Sequence, residues 1–106
     1  METIKDWMRN KNIVELSEML KAMAHPSRMA IMFLLCNSSD KRMTVKCIYN
    51  ELKMAQPVIS RHLGILKNSG LVKRTIEGSD TYYELRLTNE TVQQISKCFS
   101  QLKIKK

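Results

Sequence analysis

Only three glycines and two prolines punctuate the 106 residues. So few leave no glycine-rich loop to cradle a phosphate, and neither repeats nor low-complexity segments are present. The three cysteines, Cys36, Cys47 and Cys98, lie far apart. An odd number without close spacing argues against a disulfide framework and fits a reducing compartment. No apolar run approaches the roughly 20 residues needed to span a bilayer. The start, Met1-Glu2-Thr3-Ile4-Lys5-Asp6, has no apolar signal core, so the chain is expected to stay in the cytoplasm, away from membranes. Of two histidines, His25 precedes a proline and reads as a helix cap, while His62 has no acid or nucleophile placed with it. With no H-E-x-x-H either, neither an enzyme nor a bound cofactor is expected.

What the chain does have is an ordinary apolar content, 43% against 26% charged, enough for one modestly sized domain that would gain from burying more surface in a dimer. It also has a net charge of +8 that is unevenly spread. Residues 1–40 are neutral. Residues 41–74 hold Lys41, Arg42, Lys46, Lys53, Arg61, Lys67, Lys73 and Arg74 against the single acid Glu51. Solubilising lysine would be scattered; a basic segment of this kind is the electrostatic footprint of a polyanion binder.

The stretch Gln56 to Val72 lies inside that segment. Ile59, Leu63 and Leu66 recur at i, i+4 and i+7, one apolar helical face. Pro57 suits a first helical turn and Gly70 a left-handed C-terminal cap. Ser60 and Arg61 point away from the apolar face, with Gln56 and His62 on its flanks. Such a helix can bury three aliphatics and offer hydrogen-bonding groups to the DNA major groove. Taken alone, it could equally be a surface helix facing water. Gly64 is unexpected in mid-helix, where glycine costs about 1 kcal/mol against alanine; it either admits a close backbone or gives up one DNA contact.

Around this stretch the elements fall in the order α-α-α-α-β-β-α. Residues 1–12 are an arm with Ile4, Trp7 and Met8 at helical spacing, and residues 13–103 form the domain. Ile13, Leu16, Leu20 and Met23 line a first full helix, ended by His25-Pro26. The next, to Cys36, is apolar almost all round and so buried. Asn37 to Arg42 reads as a polar loop. Thr44 caps a short helix, Val45 to Leu52, and Lys53-Met54-Ala55 turns into the polar-faced helix, which is the helix-turn-helix plan. Leu71–Glu77 and Thr81–Leu87, either side of Gly78-Ser79-Asp80, form a β-hairpin placed to act as a wing. The bland alternative is a hairpin that only covers the core. Val92, Ile95, Phe99 and Leu102 line a last helix, Asn89 to Lys103, whose stripe is expected to pack on the first helix of a second subunit.

Leu20-Lys21-Ala22-Met23-Ala24-His25-Pro26-Ser27-Arg28, the Gln56–Val72 stretch with its S-x-H-L and L-x-x-x-G-L-V signatures, and Glu77 to Leu85 with its Y-Y-x-L ending stand in the order and spacing of one family. Over about residues 13–100 the chain resembles the ArsR/SmtB family of small bacterial winged-helix repressors. The resemblance implies a homodimer joined by its first and last helices, bound to a pseudo-palindromic operator, with Ser60 and His62 at DNA-contacting positions. The family's usual trigger is a metal. Its E-L-C-x-C-D-L site would fall on Arg42 to Ile48, where Thr44 and Lys46 occupy the cysteine positions. Its second site needs His and carboxylates on the last helix, where Glu90 is the only acid and no His occurs. No metal site is therefore expected. Other members sense oxidation through one cysteine on each of two helices. Cys36 and Cys98 lie on those elements, although Cys36 falls about a turn late, and buried structural cysteine is the plainer account.

The expectation is a mainly α winged helix-turn-helix protein: a sequence-specific, dimeric, DNA-binding repressor with an unidentified inducer. Gln56, Ser60, Arg61 and His62 would read bases. Lys46, Lys53, Lys67, Lys73 and Arg74, with Ser79, Thr81 and Tyr82 on the wing, would hold phosphate or minor groove. The alternatives are a thiol-redox-sensing repressor using Cys36 and Cys98, or a winged-helix module that binds protein.

Overall fold

The computed structural model describes residues 3–103. A six-residue helix, α1 (Ile4–Arg9), is closed by a capping box: the Thr3 N–H donates to Asp6 Oδ2 at 2.9 Å and the Asp6 N–H to Thr3 Oγ1 at 3.4 Å. The Thr3 N–H and hydroxyl, both donating to Asp6 Oδ2, hold the Asp6 carboxyl below the ordinary carboxylate range. Asn10 ends α1, and its side chain caps α2 (Lys11–Met23) by accepting the Asn12 N–H. None of α1 is buried, and it packs against α2.

On α2 the expected stripe divides. Met19, Ala22 and Met23 are buried, but Ile13, Leu16 and Leu20 lie exposed. Within one chain α2 packs against α3 (Pro26–Cys36) and the helix that begins at Gln56, and its buried residues lie toward its C-terminal end. Helix α3 is central: Ile31, Met32, Leu35 and Cys36 are buried, and it touches α2, α4 (Val45–Leu52), α5 (Gln56–Asn68) and α6 (Glu90–Ser100).

The segment read as a loop through Arg42 is more ordered than expected. A 3-10 turn, Ser39–Lys41, leads into a short strand, β1 (Arg42–Thr44). Three residues are too few to show alternation, and the strand exists because β3 (Asp80–Leu85) supplies its hydrogen bonds, with Met43 opposite Tyr83. The sheet order is β1-β3-β2, all antiparallel, with β2 spanning Val72–Glu77. Gly78, at φ 61°, opens the two-residue turn between β2 and β3.

Thr44 caps α4 by accepting the Cys47 N–H at 3.1 Å, and Lys53, in the left-handed region at φ 53°, turns the chain toward α5. At the end of α5, Gly70 (φ 87°) closes a Schellman motif: the Leu71 N–H reaches Leu66 O at 3.1 Å and the Gly70 N–H reaches Lys67 O at 3.0 Å. Both fix where the wing leaves the recognition helix. The last helix, α6, stops at Ser100. Its stripe was expected to meet a second subunit, yet Val92, Ile95 and Phe99 are buried in this chain's own core, where α6 packs on α3; Leu102 remains exposed. Asn89 Nδ2 donates to Glu15 Oε1 at 2.8 Å and ties α6 to α2.

Candidate nucleic-acid interface

Ile59, Leu63 and Leu66 anchor α5 with no exposed surface. That fixes the helix's rotation and turns Gln56, Ser60 and Arg61 outward, where all three are exposed. Gln56 and Ser60 share one concave surface with the wing. A hollow of about 290 Å³ is lined by Val45, Gln56, Ser60, Arg74, Thr81 and Tyr83. Two side chains from the recognition helix and two from the wing thus converge across a shallow depression floored by Val45 and Tyr83.

The pleat of the sheet sorts the other wing residues. Neighbours along a strand point to opposite faces. Arg74 stands opposite Tyr83, whose ring is buried, and so shares its face toward the recognition helix. Lys73 stands opposite Glu84 on the other face, its Nζ 3.4 Å from Glu84 Oε1. Thr75 Oγ1 also donates to Glu84, at 3.4 Å. Tyr82 lies on that outer face under the Arg42 guanidinium, 3.8 Å from the ring centroid. Lys73 and Arg74, adjacent in sequence, therefore serve different surfaces. Ser79 is exposed at the hairpin tip. Lys46, Lys53 and Lys67 are exposed on α4, the turn and the end of α5, outside the hollow.

His62 is half-buried and faces inward on one side. Its ring lies 4.8 Å from that of His25, centroid to centroid, and its Nδ1 is 3.3 Å from Arg28 Nη1. Burial, then the positive surroundings of His25, Arg28 and Arg61, lower the His62 pKa from its ordinary value. Nothing in the sequence signalled the contacts that Arg28 and Arg42 make at this surface. Arg28 stood in a recognised signature without a role, and Arg42 was read as loop.

The cysteines do not form a visible unit. Cys36 is buried, and burial pushes its thiol pKa up. Cys98 is exposed, two positions beyond Ser96 and so about 200° further round α6. Cys47 is exposed on α4. Among the described residues, no three His, Cys, Asp or Glu side chains stand together as metal ligands would, and no helix is long and apolar enough to cross a membrane.

Comparison with known proteins agrees with this geometry. The family model described as bacterial regulatory protein, arsR family, matches residues 25–74. Over 86 residues the chain is 38% identical to an uncharacterized HTH-type transcriptional regulator of Methanocaldococcus jannaschii, covering 81% of this chain and 92% of that one. The transcriptional regulator HlyU from Vibrio vulnificus superposes with a TM-score of 0.75 at 30% identity, over 95% of this chain and 98% of its own. The transcriptional repressor PagR of Bacillus anthracis does so with a TM-score of 0.71 at 32% identity, over 82% and 94%.

Proposed function

Because the chain belongs to the ArsR family of bacterial regulatory proteins, and is thus a winged-helix DNA-binding transcriptional regulator and not an enzyme, we propose that it acts as a homodimeric repressor on a two-fold symmetric operator. The observation that carries this reading is the shared hollow of Gln56, Ser60, Arg74 and Thr81. It lets one protomer set a helix in a major groove while its wing reaches the flanking backbone. In this reading Gln56, Ser60 and Arg61 donate to or accept from base edges, with His62 beside them. Arg74, Lys46, Lys53 and Lys67 neutralise phosphates. Lys73 contributes less, since Glu84 holds its charge.

Dimerisation is supported by the apolar surface that a single chain leaves open. Ile13, Leu16 and Leu20 form one uncovered face of α2. A second apolar hollow, about 340 Å³, is lined by Met29, Phe33, Leu52, Phe99 and Leu102 among others. A chain this small gains by covering such faces with a second copy. Repression then follows from occupancy of the operator, and an inducer of unidentified chemistry releases it. We place this activity in the cytoplasm, where the duplex is. Nothing in the thiol geometry favours a Cys36–Cys98 switch over this reading.

Selection of binding sites from a random duplex pool, followed by affinity measurement across salt, tests the proposal. Enrichment of a two-fold symmetric site, with log affinity falling linearly in log salt, is expected. Salt-independent binding or no enrichment would favour the protein-interaction module. Sedimentation should give a dimer that Leu20→Glu dissociates; a wild-type monomer at micromolar concentration sinks the dimer.

A further inference from the structure

The end of α2 leaves a last-turn carbonyl for a side chain to satisfy. The Ala22 carbonyl lies in the last turn of α2, where the chain leaves the helix at Ala24 and no backbone N–H follows to meet it; Pro26, four residues on, has none to offer. Arg28 fills the vacancy: its Nε donates to Ala22 O. The same guanidinium then extends across to the recognition helix, where Nη1 meets His62 Nδ1 at 3.3 Å. Three helices thus meet in one side chain: α2 through its last turn, α3 through Arg28 itself, and α5 through His62.

An arginine only donates. The His62 nitrogen it meets must therefore accept, and a neutral imidazole with Nδ1 accepting carries its proton on Nε2. That second nitrogen has no partner among the described residues, and it is not sealed: the buried polar atoms left without a hydrogen bond all belong to Arg42. The result is a ring with one edge anchored inward and a single N–H open to solvent.

We propose that Arg28 is a positioning residue for DNA reading, pinning His62 as a neutral Nε2–H imidazole that donates one hydrogen bond to an acceptor on the duplex. The groups around the ring act in the same direction. Arg28 and His25 approach from α3 and its N-cap, and Arg61 from α5 itself, and these disfavour a second proton. From α2, Glu15, Glu18 and Lys21 line the hollow next to Arg28, and Glu15 is also held by Asn89. His25 is spoken for, since its Nδ1 caps α3 by accepting the Ser27 N–H at 3.1 Å. Because Arg28 also holds the last turn of α2, whose uncovered face is the proposed dimer surface, a shift of α2 reaches the DNA-reading histidine through one side chain. The inference rests on the proposed DNA-facing role of α5.

Two readouts separate the pinning from the DNA contact. Nitrogen-detected NMR of the full chain should show His62 in the Nε2–H tautomer with a lowered titration midpoint. Arg28→Met keeps bulk and removes the fork; it should raise the midpoint and mix the tautomers. Its affinity for the selected operator should fall about tenfold, the scale of one hydrogen bond to a charged or oriented partner. A wild-type Nδ1–H tautomer overturns the pinning even if the variant fails to fold, as does a folded Arg28→Met with unchanged His62 titration. If His62→Ala binds the operator as wild type does, the proposed DNA contact of His62 is overturned while the NMR result stands on its own.

Discussion

The Arg42 guanidinium lies on the face of Tyr82, 3.8 Å from the ring centroid, and its Nη2 stands 3.3 Å from Glu77 Oε1. Nη2 and Nε are sealed from solvent, and neither makes an aligned hydrogen bond, so the contact with Glu77 counts as an ion pair only. Arg42 is on β1, and Tyr82 and Glu77 are on the two wing strands. One side chain from outside the hairpin therefore steadies it.

Arg42→Ala and Tyr82→Ala should each destabilise the chain. A partly desolvated cation–π contact contributes about 1 kcal/mol, and urea denaturation of the two single variants and the double variant should show that coupling. Strict additivity of the two losses would mean that the stacking contributes nothing.

Arg74 and Lys73 should differ in their effect on DNA. Arg74 has no acidic partner among the described residues and lines the hollow beside Gln56, whereas Lys73 is paired with Glu84. Arg74→Ala should weaken binding to all duplexes and lower the salt slope by about 1. Lys73→Ala should do so much less. Equal slopes for the two variants, from anisotropy titrations at several salt concentrations, would contradict the division made by the pleat.

Gly64 carries the entropy cost of a glycine in mid-helix. A Cβ built there meets nothing within 4 Å. Gly64→Ala should therefore stabilise the chain by about 0.5–1 kcal/mol in urea denaturation. If operator affinity drops while stability rises, the bare position admits a close approach of the duplex. Unchanged affinity identifies Gly64 as a contact forgone.

Thiol reactivity should follow burial. Cys47 and Cys98 should react with a maleimide in the native chain, while Cys36, buried and with its thiolate disfavoured, should react only on unfolding. Mild oxidation followed by intact mass should give no Cys36–Cys98 link. A link formed at native stability, with altered DNA affinity, would restore the redox reading.

Much of this architecture was legible in one dimension. The α5 face of Ile59, Leu63 and Leu66, the Gly70 stop, the Thr44 and His25 caps and the hairpin are all local. A helical period, a capping oxygen or nitrogen, and a glycine's freedom act within a few residues, so they leave marks at fixed spacing. The clustering of bases in residues 41–74 is likewise visible before folding.

What the string could not show depends on partners distant in sequence. Strand β1 exists because β3 offers it a ladder. Val92, Ile95 and Phe99 of α6 turn out to be core because α3 lies under them, while Ile13, Leu16 and Leu20 of α2 stay open and only Met23 of that stripe is buried. Lys73 and Arg74 look equivalent until the pleat sends them to opposite faces. The opening motif of the recognition helix, Ser60 and His62 on a polar face, is also redrawn. Ser60 remains an outward group, but His62 meets Arg28 at one edge, a side chain that also fills an open last-turn carbonyl of α2. Composition and periodicity determined that a basic, winged helix-turn-helix would form. Packing decided which of its polar groups remain free to meet DNA, because hydrogen bonds and ion pairs between separate elements form only once the core has brought those elements together.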